Sequence, residues 1–314
     1  MKASTVLTKP RTFNISRIGA TRKSREAIAG YLFAGPVILG FLIWVFIPMV
    51  ATMVISLTNW PIIGEAEWVG LRNYTKLFDN DPFFFPAIKA TTIFAFGSVV
   101  LRTIYTFLVA LLLNQEIRGK AIFRTIYYLP SIVPVVASSM IWTWAYSVDF
   151  GLFNSILKTL GLPTSRWISD STTVLPSLIL MDLWASSSTI IIFLAGLQGV
   201  PRELKEAVEV DGGNWWHKFW TVTVPHMTPY ILFNMVLGII GAFQTFTQSF
   251  IMTGGGPEKA SLFLSLVIYR KAFSDGQMGM ACAIAWILFM IIAVITFVVF
   301  KTSGTWVFYY GEKK

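Results

Sequence analysis

The stretch GLQGVPRELKEAVEVDGGNWWHKFWTVTVP, Gly196 to Pro225, is a long polar excursion in an otherwise very apolar chain. Pro201 stands where a first helical turn accepts proline, and Leu204, Ala207, Val208 and Asp211 follow at i, i+3, i+4 and i+7. This spacing predicts a short helix with one small, mildly apolar face. Glu203 lies in its first turn, and Arg202 with Glu206 and Lys205 with Glu209 stand at pairing distance along its other sides. Gly212 and Gly213 end the helix. Asn214 can cap a second one that presents Trp216 and Phe219 before Pro225 and Pro229 stop it. Helix, glycine bend and aromatic helix between two apolar runs form an element suited to docking another protein.

The surrounding composition sets the solvent. The 314 residues are 55% hydrophobic, 15% aromatic and only 13% charged, which no ordinary soluble domain matches. Six apolar runs, about 30–57, 87–113, 125–146, 173–195, 230–252 and 277–300, each reach the roughly 20 residues that cross a bilayer as helix. The expected fold is therefore all-α and polytopic. Residues 1–29 form a basic arm, 30–300 the six-span domain with its polar loop at 196–228, and 301–314 a tail. The first run is too long for a signal peptide, and no small-residue cleavage site precedes it.

A net charge of +9 would suit nucleic acid, but the basic residues are spread over short segments between spans and the N-terminal arm. The positive-inside rule accounts for them, so no nucleic acid is expected as a partner. With both termini in the cytoplasm, sixteen Lys and Arg fall inside against seven outside. That orientation puts Gly196–Pro225 in the cytoplasm.

A cytoplasmic docking element needs a partner that supplies energy. The chain has no G-x-x-x-x-G-K-[ST], and Gly254-Gly255-Gly256-Pro257-Glu258-Lys259 lacks that spacing. No catalytic triad, H-E-x-x-H or paired-carboxylate site is visible. The lone Cys282 excludes an internal disulfide or cysteine metal cluster, and His217 and His226 have no carboxylate at ligand spacing. The chain is thus expected to be no enzyme and to hold no cofactor or metal.

Glu206-Ala207-Val208, Asp211-Gly212-Gly213, Phe219, Val222, Val224 and Pro225 resemble the EAA loop of membrane subunits of bacterial binding-protein-dependent ABC importers. In that family the pattern runs roughly EAA, DGA, then F, I and LP; here Val208 and Gly213 replace alanines, and Val222 and Val224 replace Ile and Leu. The sugar-type branch is resembled by Trp68-Val69-Gly70-Leu71-Arg72-Asn73-Tyr74, Asp81-Pro82-Phe83, Phe123-Arg124 with Pro130, Asp149-Phe150-Gly151-Leu152-Phe153-Asn154, and Gly255-Gly256-Pro257 with Tyr269. Pro36 and Pro48 in the first span fit it too. The likeness runs from about Tyr31 to the last span.

The resemblance implies the transmembrane domain of a type I importer in the bacterial inner membrane. It implies a homologous second permease subunit, two ATPase subunits that bind ATP and Mg, and an extracytoplasmic solute-binding protein. It makes the predicted helix the coupling helix, with Glu203, Glu206, Ala207, Val208, Asp211, Gly212, Gly213, Phe219 and Pro225 as its ATPase-coupling residues. The short loop 58–86 leaves no room for the large outer domain of some maltose-type permeases. Segment 253–276 is expected to be an outer loop mobile enough to reach a docked binding protein.

Candidates for the solute path come from polar residues inside spans. Arg102 and Asp182 lie at similar depth in the second and fourth, where a charge is usually paired or faces a cavity. An ion pair, solute contact and separate interior partners are all open readings. In the fifth span Asn234, Gly238, Gly241, Thr245 and Gln248 form one small, polar stripe that suits close helix packing. Its outer part, Gln244, Thr245 and Gln248, also suits sugar hydroxyls. Trp142, Trp144 and Trp184 suit either sugar stacking or an interfacial belt. The expected cargo is a sugar or oligosaccharide. An anionic solute such as an alginate-like uronate or glycerol phosphate is the alternative. A self-sufficient secondary transporter, from another class, would show repeats with broken helices, and none is read here.

Overall fold

The computed structural model describes residues 22–116 and 118–308; the side chains of 22–25 lie outside the description. Most of the basic arm and the end of the tail fall outside it as well. The chain divides into two units, residues 1–52 and 53–314. In order, the elements are α1 (Arg22–Phe41), α2 (Ile47–Ser56), β1 (Thr58–Asn59), β2 (Glu67–Trp68), α3 (Arg72–Asn80), α4 (Phe84–Asn114), α5 (Lys120–Tyr128), α6 (Val135–Ala145), α7 (Leu152–Thr159), α8 (Val174–Ala185), α9 (Ser187–Gln198), α10 (Arg202–Val210), α11 (Trp215–Lys218), α12 (Val224–Phe243), α13 (Leu264–Tyr269) and α14 (Met278–Trp306).

Four helical stretches are long and apolar enough to cross a membrane uninterrupted: Glu26–Ser56, Phe84–Asn114, Trp215–Phe243 and Met278–Trp306. Two bent pairs, Lys120–Ile132 with Val135–Ala145 at 103° and Val174–Ala185 with Ser187–Gln198 at 51°, bring the number to six where each pair counts as one span. Broken helices are therefore present, contrary to the sequence reading, and their presence does not separate importer permeases from secondary transporters. In the first unit, α1 carries Pro36 within it, and side chains such as Phe33 and Trp44 are exposed.

Two prolines, Pro48 and Pro225, sit inside continuous helical stretches, and the same device admits both. A π turn at Leu42–Phe46 lets the Ile47 N–H donate to the Leu42 carbonyl just before Pro48, and a second at Phe219–Thr223 lets Val224 donate to Phe219 just before Pro225. Proline has no N–H to give and clashes with the carbonyl four residues back; one wide turn relieves the clash at the cost of one regular bond. Pro225 therefore does not stop the helix, and Pro229 also lies within α12. The fifth span starts at Trp215, inside the expected polar loop, and its regular part ends at Phe243.

In the second unit the core gathers the buried faces of α4, α8, α12, α13 and α14 around Phe84, Phe94, Leu178, Phe243, Phe263 and Ile284. A smaller cluster, Val109, Leu113, Ile190, Phe193, Leu197 and Met227, holds the other ends of α4, α9 and α12 together. Buried amides pin the loops. Asn73 Nδ2 donates to the carbonyls of Ser56 and Thr58, each at 2.8 Å, and a Cβ on Gly279 would lie 1.9 Å from the Thr58 carbonyl oxygen. Asn154 Nδ2 donates to Val148 O and Ser165 O while its Oδ1 accepts from Ser165 N and Trp167 Nε1. Its amide is fully satisfied in a buried setting.

Segment 253–276 is not an extended loop. It folds into α13 and a π turn, and buries Leu262, Phe263, Leu264, Leu266 and Val267 at 2% exposure or less. Leu264 N donates to Thr91 Oγ1 on α4, and the Phe94 and Phe263 rings lie 4.8 Å apart. The sequence reading missed this because the apolar run is short and glycine-flanked, which does not separate a loop from a packed helix.

Candidate coupling element and intramembrane polar site

The polar excursion forms as two helices around a glycine corner. Pro201 stands at the N-cap of α10, Glu203 in its first turn, and no residue of α10 is buried. At the other end Gly212 adopts φ +77°, its N–H donates to Glu209 O at 3.0 Å, and the Gly213 N–H donates to Val208 O at 2.8 Å. This is the Schellman arrangement, whose left-handed residue glycine adopts without a Cβ penalty. Asn214 Oδ1 accepts the His217 N–H as N-cap of α11. Glu209 pairs with Lys218 on α11. The expected (i, i+4) partner, Lys205, lines the same cavity of about 200 Å³ beneath the corner.

Glu206, Ala207, Val210 and Asp211 are exposed, as are Trp215, Trp216 and Trp220. Phe219, half-buried, stacks on Trp215 at 5.4 Å and approaches Phe107 of α4 at 6.3 Å. Phe107 in turn meets Phe193 of α9 at 5.5 Å. The corner is thus tied to two spans by aromatic rings while α10 stands open.

Two of the departures from the family pattern touch one another. A Cβ on Gly213 would come within 2.4 Å of Val208 Cγ1 and 2.8 Å of the Val208 carbonyl oxygen. The larger side chain at 208 uses the space that glycine leaves at 213. Gly213→Ala alone is expected to cost about 1–3 kcal/mol by overpacking and to speed amide exchange in α10 accordingly. Adding Val208→Ala recovers part of the protection, since the carbonyl contact stays; hydrogen exchange on the two variants measures it.

In the bundle, Arg102 and Asp182 meet. Arg102 Nε donates to Oδ2 at 3.0 Å and Nη2 reaches both carboxylate oxygens. Asp182 is buried, and the Arg102 side chain is one-fifth exposed. Gly238 of α12 lies against the pair: a Cβ there would be 3.5 Å from Val99 and 4.0 Å from Arg102 Nη1. These are ordinary van der Waals distances, so a methyl group would fit at this position. Asn234 donates to Tyr230 O, Gly241 is open, and Thr245 Oγ1 donates back to Gly241 O.

The helix breaks at Gln244–Phe246, leaving Gln244 exposed and Gln248 buried in the following turn. Gln248 Oε1 has no hydrogen-bond partner among the described residues. The three residues named together for the solute path thus occupy different settings. Trp142 and Trp184 pack at 5.7 Å within an aromatic cluster that includes Tyr146, Phe153 and Trp167, whereas Trp144 is exposed. Trp142 and Trp184 are both half-buried, each covering the other. Sequence spacing gave no sign of this cluster, because its members come from α6, α7, α8 and the turn before α8.

Residues 106–314 match the family model described as binding-protein-dependent transport system inner membrane component. The chain belongs to this family. It is 37% identical over 94% of its length to the probable ABC transporter permease protein YesP of Bacillus subtilis, covering 98% of that protein. It is 32% identical to the trehalose/maltose transport system permease protein MalF of Thermococcus litoralis, over 90% of this chain and 95% of that one. To the arabinooligosaccharides transport system permease protein AraP of Bacillus subtilis it is 30% identical, over 88% and 89%. The fold is that of a chain in the crystal structure of a bacterial alginate ABC transporter, with TM-score 0.76, 22% identity, and coverage of 90% of this chain and 96% of that one. This family member therefore has the helical transmembrane architecture of type I importers.

Proposed function

We propose that the chain is a permease subunit that moves a sugar or oligosaccharide by alternating access, driven by separate ATPase subunits that bind ATP and Mg. The observation that carries the reading is α10: an exposed helix, ended by a Schellman corner and tied through Phe219, Phe107 and Phe193 to two spans. Glu206 offers a charge to the ATPase surface and Ala207 allows close approach. Closure of the ATPases would draw α10 inward and move the ends of α4 and α9 with it. A homologous second permease and an extracytoplasmic binding protein complete the assembly, with the chain's termini and α10 in the cytoplasm.

Named relatives that carry maltose, trehalose or arabinooligosaccharides support a sugar cargo. The pairing of Arg102 with Asp182 favours a neutral solute over a uronate or glycerol phosphate, because the guanidinium's charge is already met. Proteoliposomes holding the complete transporter test this with a neutral oligosaccharide bound by the cognate binding protein. ATP-dependent uptake that uronates do not compete is expected. Uptake without the ATPases, or of uronates alone, would overturn the proposal.

A further inference from the structure

The exposed face of α4 carries one charge. Phe85, Ile93, Phe96, Val100, Ile104 and Leu108 follow one another at helical spacing and are about half-exposed, and Lys89 stands in the same row between the first two. It lies five residues into a membrane-spanning helix, about 7.5 Å below its end. No ion-pair partner for Lys89 is found among the described residues. Beside it opens a groove of about 570 Å³ floored by apolar side chains of α4 and by Leu175 of α8, with Ser171, Glu258 and Lys259 also lining it.

Lys259 is held in place: Nζ donates to Pro82 O at 3.0 Å and sits 4.6 Å from the Phe83 ring centre, with N–H groups to spare. Two lysines against one glutamate leave the groove with a net positive charge.

We propose that this groove binds an anionic phospholipid, its phosphate between the Lys89 and Lys259 ammonium groups and an acyl chain laid on Ile93, Phe96 and Val100. The argument is charge complementarity joined to continuity. A lysine this near the end of a span reaches up to the headgroup level while its stem covers apolar surface. Below it the row is apolar to the far end of the helix, which suits an acyl chain and offers no hydrogen-bonding side chain to a sugar. Ser171 supplies a hydroxyl for the headgroup, and the single Glu258 suits a monoanionic phosphodiester better than a dianion.

Native mass spectrometry of the full chain in detergent tests the proposal, comparing phosphatidylglycerol with phosphatidylethanolamine. Wild type is expected to retain phosphatidylglycerol preferentially. Lys89→Gln or Lys259→Gln should each weaken that binding roughly fivefold, and the double variant roughly twentyfold or more, with Lys89→Arg unchanged. Equal retention of both lipids by wild type, or undiminished phosphatidylglycerol binding in the double variant, would overturn it. So would displacement of the lipid by millimolar inorganic phosphate or glycerol phosphate, which would make the site one for a free anion. Loss of the preference in the assembled transporter would also overturn it, because another subunit would then cover the groove.

Discussion

A Gly212→Pro chain is expected to insert and assemble with its spans intact, yet to lose ATP-driven uptake by about two orders of magnitude, the scale set by ~3 kcal/mol of proline misfit. Gly212 holds φ +77° and its N–H closes the end of α10 on Glu209 O. Proline fixes φ near −65° and has no N–H, so both the corner and that bond are lost. The damage stays local, because no residue of α10 is buried and neither core cluster includes the corner. The informative readout is therefore the ratio of uptake to ATP hydrolysis in the assembled complex. Glu206→Lys should move the same ratio by reversing the charge offered to the partner. Uptake within about twofold of wild type in both variants would mean that α10 is not the coupling element.

The second large effect concerns the intramembrane pair. Asp182→Ala strands the Arg102 guanidinium, and a buried pair broken on one side typically loses about 3–5 kcal/mol. Replacing both residues by leucine removes the stranded charge along with its partner and should recover most of that loss. Arg102→Leu, Asp182→Leu and the double-leucine change form a cycle whose interaction energy is read by thermal unfolding in detergent. Strictly additive losses would show that the two charges act separately. If the pair serves only packing, the double-leucine chain also transports; if Arg102 contacts solute, stability returns and uptake does not.

Much of α10 was legible because its signals are local: a proline entry, an apolar spacing, and glycine at the one corner needing φ > 0. Arg102 and Asp182 could be marked because charges inside apolar runs are rare, although only the fold brings α4 and α8 together. What escaped depends on tertiary context. Pro225 reads as a stop until the wide turn at Phe219–Thr223 takes up its missing bond. The segment after Gly254 reads as a loop until Phe263 and its neighbours find α4. Asn73 and Asn154 stand within family-like motifs, but their amides act on carbonyls distant in sequence. The break at Gln244–Phe246 carries neither glycine nor proline, and so gave no local warning.

Site-specific photo-crosslinking at Ala207 tests the central claim most directly. Ala207 is exposed on α10, and Cys282 is the chain's single cysteine, so Cys282→Ser with Ala207→Cys accepts one benzophenone label. Leu162→Cys, on an exposed turn after α7, serves as the control. The expected result is an adduct between position 207 and an ATPase subunit in the assembled complex, with none from position 162. A complex that hydrolyses ATP yet gives no adduct from 207, or equal adducts from both positions, would contradict the assignment of α10 as the ATPase-docking element.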